Sequence, residues 1–166
     1  MSKSALFWII TVSAVLLFGS YFFIAGDKNQ KNDPIKTYTS KDRERPKIKV
    51  EKNIFDAGTI KVSDITKTEF TIQNTGVKPL QLFNISSSCG CTTGQIIYQG
   101  KESKEFGMHS TSDYSVGIAP GEKATVRMIY RPYVMPVYGP VEREVYVTTN
   151  DPDNQKLVFK MSSYVK

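Results

Sequence analysis

From Lys47 onward the large apolar residues fall at alternate positions: Ile48 and Val50, Phe70 and Ile72, Leu80 and Leu82, Val126, Met128 and Tyr130, Val145 and Val147, then Leu157, Phe159 and Met161. A period of two places successive side chains on opposite faces, so each run reads as a strand with one buried face. The intervals carry turn chemistry in Asn74-Thr-Gly76, Lys78-Pro79, Ala119-Pro-Gly-Glu122, Tyr138-Gly-Pro140 and Asn150-Asp-Pro-Asp-Asn154. No stretch after residue 25 has the spacing of a helix of ten residues or more. About seven short strands without βαβ alternation predict an all-β fold, an immunoglobulin-like antiparallel β-sandwich. Between Thr92 and Ala119 the spacing is longer and holds Gly94, Gly100, Gly107 and Gly117, which reads as a strand followed by a long loop.

The start of the chain follows a different pattern. Ala5 to Ala25 is apolar and free of charge, and as a helix rising about 1.5 Å per residue it spans roughly the 30 Å of a bilayer's hydrocarbon core. It is longer than a signal-peptide core, and its best exit, Phe23-Ile24-Ala25, places a bulky side chain where a small one is needed. The reading is one N-terminal transmembrane helix, an uncleaved signal-anchor over residues 1–26, with 5–25 in the membrane. Residues 27–46 are polar and hold only Ile35 and Tyr38 as sizeable apolar groups, so they read as a spacer before the sandwich domain at 47–166. Lys28, Lys31, Lys36 and Lys41 follow the span, and only Lys3 precedes it. Taken alone, this count points the domain toward the cytoplasm.

Composition narrows the function. The formal charge is +6, but from Lys47 onward 15 Lys and Arg stand against 12 Asp and Glu, interspersed, which is not the footprint of a nucleic-acid binder. One histidine excludes a site built on two imidazoles. No nucleophile elbow, phosphate-binding glycine loop, dinucleotide fingerprint or zinc-protease helix is present, so the chain is not expected to be an enzyme. Arg127, Arg131 and Arg143 read as solvent-face residues paired across strands with Glu122, Glu142 and Glu144.

The two cysteines, Cys89 and Cys91, flank one glycine and fall within the distance a disulfide bridges. Closing so short a loop stabilises by only ~1.6 kcal/mol in the chain-entropy account, which makes a mere staple a poor explanation. Two chemical readings stand beside it: a reducible dithiol, or a thiolate pair for a soft cation such as Cu(I) or for zinc. Met108 and His109, adjacent in a glycine-flanked loop, would complete a soft donor set with Cys89 and Cys91, and Met135 is a remoter candidate. Each residue also has a plainer reading, the cysteines as a tight bulge after the Leu80–Ile85 strand, Met108 as packing and His109 as a solvated side chain.

The segments Asn53–Gly58, Phe70–Gly76, Ser88–Thr92, Ala119–Glu122 and Thr149–Pro152, in that order, resemble a widespread bacterial domain-of-unknown-function family with an immunoglobulin-like sandwich and a Ser-Cys-Gly-Cys-Thr signature. The resemblance covers about residues 47–165. It implies an extracytoplasmic domain, periplasmic or on the cell surface, against the lysine count, and it implies no reaction. The leading expectation is a membrane-anchored protein-interaction module of an envelope complex, with a protein partner. The alternative is soft-metal binding or dithiol redox chemistry at the Cys-Gly-Cys turn.

Overall fold

A computed structural model of the chain describes residues 34–110 and 114–166. Two five-stranded sheets face each other across an apolar core. One is ordered β1(Ile48–Val50), β3(Thr66–Asn74), β8(Lys123–Tyr130), β5(Thr92–Tyr98) and β6(Lys101–Glu102). The other is ordered β2(Ile54–Ile60), β10(Lys156–Val165), β9(Gly139–Thr149), β4(Leu80–Ser87) and β7(Ser115–Ile118). From β1 to β9 the chain passes repeatedly between the sheets, and β9 and β10 form a hairpin within one.

The alternating residues do what their pattern requires. Phe70, Ile72, Leu80, Leu82, Val126, Met128, Val145, Val147, Phe159 and Met161 all lie inside, and the Phe70 and Phe159 rings meet across the sheets at 5.0 Å. Burial of each such side chain is worth about 1.5–3 kcal/mol, so the core needs no staple.

Gly94 of β5 is shaped by this core. A Cβ there would lie 2.6 Å from Val145 Cγ1 and 3.1 Å from Ile85 Cγ2, both on the opposite sheet. Gly94→Ala is therefore expected to destabilise the domain by about 1–3 kcal/mol through overpacking, checked by urea denaturation with an unchanged m value.

The described strands number ten, not about seven. Three escaped the pattern, β2, β6 and β7. β6 and β7 are edge strands of two and four residues, too short to display a period. β2 is broken by a bulge, with Asp56 opposite Ser162 but Thr59 opposite Tyr164, so its inward positions do not alternate to the end. β2 also corrects the expectation of an antiparallel sandwich, because it runs parallel to β10. Parallel neighbours need a long connection, and these two strands stand at opposite ends of the domain sequence.

The expected anchor lies outside the described residues. Among those that are described, no helix is long and apolar enough to cross a membrane. Part of the stretch read as a spacer is tied to the sandwich: Gln81 Oε1 accepts from Lys36 N (2.8 Å), Gln81 Nε2 donates to Pro34 O (3.2 Å), and Arg45 pairs with Asp153 at 2.7 Å. These are polar tethers from Gln81 and Asp153, which a search for apolar burial does not detect.

On the outer face of β9 and β10, Lys160 Nζ sits between Glu142 (3.0 Å) and Glu144 (2.9 Å). Their hydrogen bonds push its ammonium up to about 12. A raised folded value means the contribution is complete below lysine's ordinary value of 10.5 and is lost as pH climbs through about 12. Lys160→Met is accordingly expected to flatten the fall in stability over that alkaline window, as read by unfolding at stepped pH.

Candidate functional site

At the end of the sandwich where β4 passes to β5, the Cys89 and Cys91 sulfurs are joined in a disulfide, with Cα atoms 5.3 Å apart. The turn is held by other bonds as well. The Ser87 hydroxyl reaches the carbonyl oxygens of Cys89 (2.9 Å) and Thr92 (2.6 Å), and Arg131 N donates to Cys91 O (2.8 Å). Ser88 N donates to Glu144 O at 3.0 Å, and Glu144 N returns a bond to Ser88 Oγ at 3.0 Å. The two sulfurs are not equivalent, since Cys91 is 1% exposed and Cys89 is only partly buried. The buried Thr92 hydroxyl lies 3.3 Å from Cys89 Sγ and 3.9 Å from Cys91 Sγ, and beside a disulfide it is the donor.

The neighbouring segment runs from β8 to β9. A single 3-10 turn, Pro132–Val134, begins on a buried proline, and the chain then carries Met135, Pro136, Val137 and Tyr138 before Gly139 turns at φ 93° into β9. Two prolines and a left-handed glycine keep this piece from continuing either strand, so its side chains turn outward. Tyr133, Val134, Met135, Val137 and Tyr138 are 46–67% exposed, an apolar strip with no counterpart in the alternating strands. Met135 Sδ stands 3.6 Å from where a side chain at Gly90 would begin, so the strip borders the cysteine turn.

Beneath the turn, Arg143 faces inward, and its guanidinium lies 5.2 Å from the centre of the Tyr130 ring. This corrects the expectation that Arg143 decorates the solvent face; the alternation of β9, Val141, Arg143, Val145, puts it on the core side. Arg127 does lie outside but pairs with Glu69 and Glu102 rather than with Glu122. Arg131 grips both oxygens of Glu105 (2.8 and 2.9 Å), and that hydrogen bonding holds the carboxyl below its usual range. Tyr130 Oη, Arg143 Nε and Ser163 Oγ are buried without a hydrogen-bond partner among the described residues.

The metal reading gains nothing from this arrangement. Both sulfurs are committed to each other, and among the described residues no group of three or more His, Cys, Asp or Glu is placed to hold a metal ion. Met108 and His109 sit on the turn Gly107–Ser110, closed by Ser110 N to Gly107 O at 3.2 Å, with Met108 43% exposed. The methionine placed against the cysteine turn is Met135. Sequence reasoning missed the Thr92 hydroxyl and the apolar strip. The signal for the strip was present in five large apolar residues within six positions, interrupted by proline and without a period.

The remaining motifs proved to be scaffolding. Asn74 Nδ2 donates to Lys78 O (2.8 Å) and Ile118 O (3.0 Å). The carboxylate of Asp151 accepts from Ile48 N (3.0 Å), Asp153 N (3.1 Å) and Asn154 Nδ2 (3.0 Å). Gly121 N donates to Asn74 O at 2.8 Å, which joins the Ala119–Glu122 turn to the Asn74 turn.

A family model described as a protein of unknown function, DUF1573, matches residues 48–165. A comparison with curated proteins finds no match. Among solved structures, a protein of unknown function from Porphyromonas gingivalis W83 is 18% identical with a TM-score of 0.55, over 74% of this chain and 48% of that one. The chain thus spans about half the length of that protein. A family 123 glycoside hydrolase from Clostridium perfringens is 13% identical with a TM-score of 0.50, over 69% of this chain and 23% of that one. PapD-like domain 7 of human CEP192 is 12% identical with a TM-score of 0.47, over 83% of this chain and 97% of that one. At these identities the first two likenesses show the sandwich fold alone.

Proposed function

The chain belongs to the DUF1573 family of proteins of unknown function, and from that footing we propose that it is a membrane-anchored, extracytoplasmic interaction module whose docking face is the strip Tyr133–Tyr138 beside the cysteine turn. The observation that carries this reading is the exposure of that strip. Five large apolar side chains in six positions stand 46–67% exposed at one end of a domain whose other apolar residues are mostly buried. Isolated exposed apolar residues need no explanation, but a contiguous strip rimmed by polar strands is the usual mark of a surface that meets a partner. Tyrosine and methionine are also the residue types enriched in interface cores.

The compartment is argued from chemistry. A disulfide in a small domain persists in an oxidising environment, which supports an extracytoplasmic location and an anchor in residues 5–25 oriented to place the domain there. The partner is an envelope protein that offers an apolar patch to the strip.

The test is affinity recovery of the full-length protein from detergent-solubilised membranes. The variants are Val137→Ser with Tyr138→Ser, and Val77→Ser as a control at the opposite end of the sandwich, where Val77 is 61% exposed. A stoichiometric partner kept by the control and lost from the strip variant is the expected result. The same partner recovered equally with all three proteins, or none with any, would overturn the assignment of the face.

A further inference from the structure

The cysteine turn holds its shape through bonds that do not involve sulfur. Ser87 Oγ, Ser88, Thr92 N and Arg131 N fix the carbonyl and amide groups on both sides of Gly90, including Thr92 N to Cys89 O at 3.3 Å. Closing a loop this short stabilises by only ~1.6 kcal/mol, so the disulfide contributes little that the turn does not already have. The reduced turn is therefore accommodated by the same scaffold.

Three further observations converge on the sulfurs. Cys89 is partly buried at the edge of the core, and Cys91 is buried at 1% exposure, so Cys89 is the less enclosed of the two. Thr92 presents a hydroxyl 3.3 Å from Cys89 Sγ, where it would donate to a thiolate. Gly90 is exposed and adds no side chain of its own beside Cys89, and Met135 Sδ stands 3.6 Å from where one would begin.

We propose that Cys89–Cys91 is a thiol–disulfide exchange centre in which Cys89 forms the mixed disulfide and Cys91 is the buried leaving and resolving sulfur. A substrate thiolate attacks Cys89 Sγ, the Cys89–Cys91 bond breaks, and Cys91 leaves as a thiolate that takes up a proton. A second substrate thiolate then attacks the substrate sulfur of the mixed disulfide. A substrate disulfide forms, and Cys89 departs as a thiolate held by the Thr92 hydroxyl. Two substrate thiols are oxidised, one protein disulfide is reduced, and the two protons lost by the substrate end on the protein sulfurs or in solvent. The reverse sequence reduces a substrate disulfide, with Cys89 attacking and Cys91 resolving.

The substrate class is a polypeptide thiol flanked by apolar residues, because the strip Tyr133–Tyr138 borders the turn through Met135. That choice of substrate rests on the docking face proposed above. The exchange chemistry does not, and a small thiol reads it alone.

The experiment uses the full-length protein in detergent, equilibrated anaerobically with a series of reduced and oxidised glutathione ratios and then alkylated with a mass tag. The cysteine pair is expected to pass from oxidised to reduced across the series while cooperative unfolding is preserved. In Cys91→Ser the glutathione adduct collects on Cys89, in about tenfold excess over the adduct Cys91 carries in Cys89→Ser. Thr92→Val shifts the pH midpoint of Cys89 alkylation upward, by roughly a tenfold slower reaction at neutral pH, whereas Thr92→Ser, which keeps the hydroxyl, does not. The charged or titratable residues around the turn, Glu144 of β9 and Arg131 just after β8, bonded to it through their backbones, and Arg143 of β9 against the ring of Tyr130, are the same in all of these variants. A pair that stays oxidised at every ratio would overturn the proposal. So would an adduct that favours Cys91, or a Thr92→Val profile equal to wild type. Either of the last two results leaves the docking face untouched, and loss of the partner from the strip variant leaves the exchange centre untouched.

Discussion

Replacing Gly76 by alanine is expected to lower the thermal unfolding midpoint by about 10 °C, a loss of about 3 kcal/mol and a larger effect than at Gly94. A Cβ at Gly76 would lie 2.4 Å from Arg45 O, 2.4 Å from Lys47 N and 2.7 Å from the carbonyl carbon of Pro46. These are backbone atoms, unlike the side-chain ends that crowd Gly94, so no rotamer change relieves the contact. The chain entering β1 would have to move. With it would go the bonds from Thr75 N to Lys47 O (2.7 Å) and from Val77 N to Arg45 O (3.1 Å), together with the ion pair of Arg45 with Asp153. Differential scanning calorimetry of Gly76→Ala and Gly94→Ala side by side reads both effects, with the greater drop expected at Gly76.

Asn74→Ala is expected to cost about 3–5 kcal/mol, because its truncation strands several buried groups at once. The side chain is 0% exposed. Its Nδ2 satisfies Lys78 O and Ile118 O, which lie on different segments, and its Oδ1 accepts from Gly76 N at 3.0 Å. Alanine leaves those carbonyls and that N–H facing a space without a partner. Asn74→Asp separates the causes: it keeps the acceptor for Gly76 N but removes both donors, so it should retain only part of the stability. Equilibrium denaturation of the two variants provides the check. The effects of Asn74→Ala and Gly76→Ala should add to less than their sum, since both undo the same turn.

The long strands were legible because they have one face in the core. β3, β8, β9 and β10 announce themselves through Phe70, Val126, Val145 and Phe159 at a period of two, and the structure buries each of these residues. β2 was not legible, since the bulge between Asp56 and Thr59 breaks its period and only Ile60 is fully buried. The two-residue β6 forms only because Lys101 and Glu102 fall opposite Tyr98 and Ile97. Arg143 was misread for a related reason. A charged residue was assigned to solvent by type, while its place in the alternation of β9 sends it inward, where the Tyr130 ring receives the cation.

The candidate site divides along the same line. The nearness of Cys89 to Cys91 follows from sequence separation alone. The approach of Met135 to Gly90 follows from the return of the β8–β9 connection over the β4–β5 turn, which is a property of the topology. Met108 and His109 stood nearer to the cysteines in sequence than Met135 does, yet the structure sets Met135 against the turn. The motifs that define the resemblance sort by function once their bonds are seen. Asn74, Thr149, Asn150 and Asp151 are buried hydrogen-bond hubs far along the strands from the cysteine turn, and the contiguous exposed strip Tyr133–Tyr138 lies at the other end.

If the strip Tyr133–Tyr138 is the docking face proposed above, site-specific photocrosslinking in intact membranes will read it position by position. A photoreactive residue is placed singly at Val134, at Tyr138 and, as a control of similar exposure at the far end of the sandwich, at Val77. A discrete adduct of one mass from positions 134 and 138 and none from position 77 is the predicted result. Equal adducts from all three positions, or an adduct from Val77 alone, would contradict it.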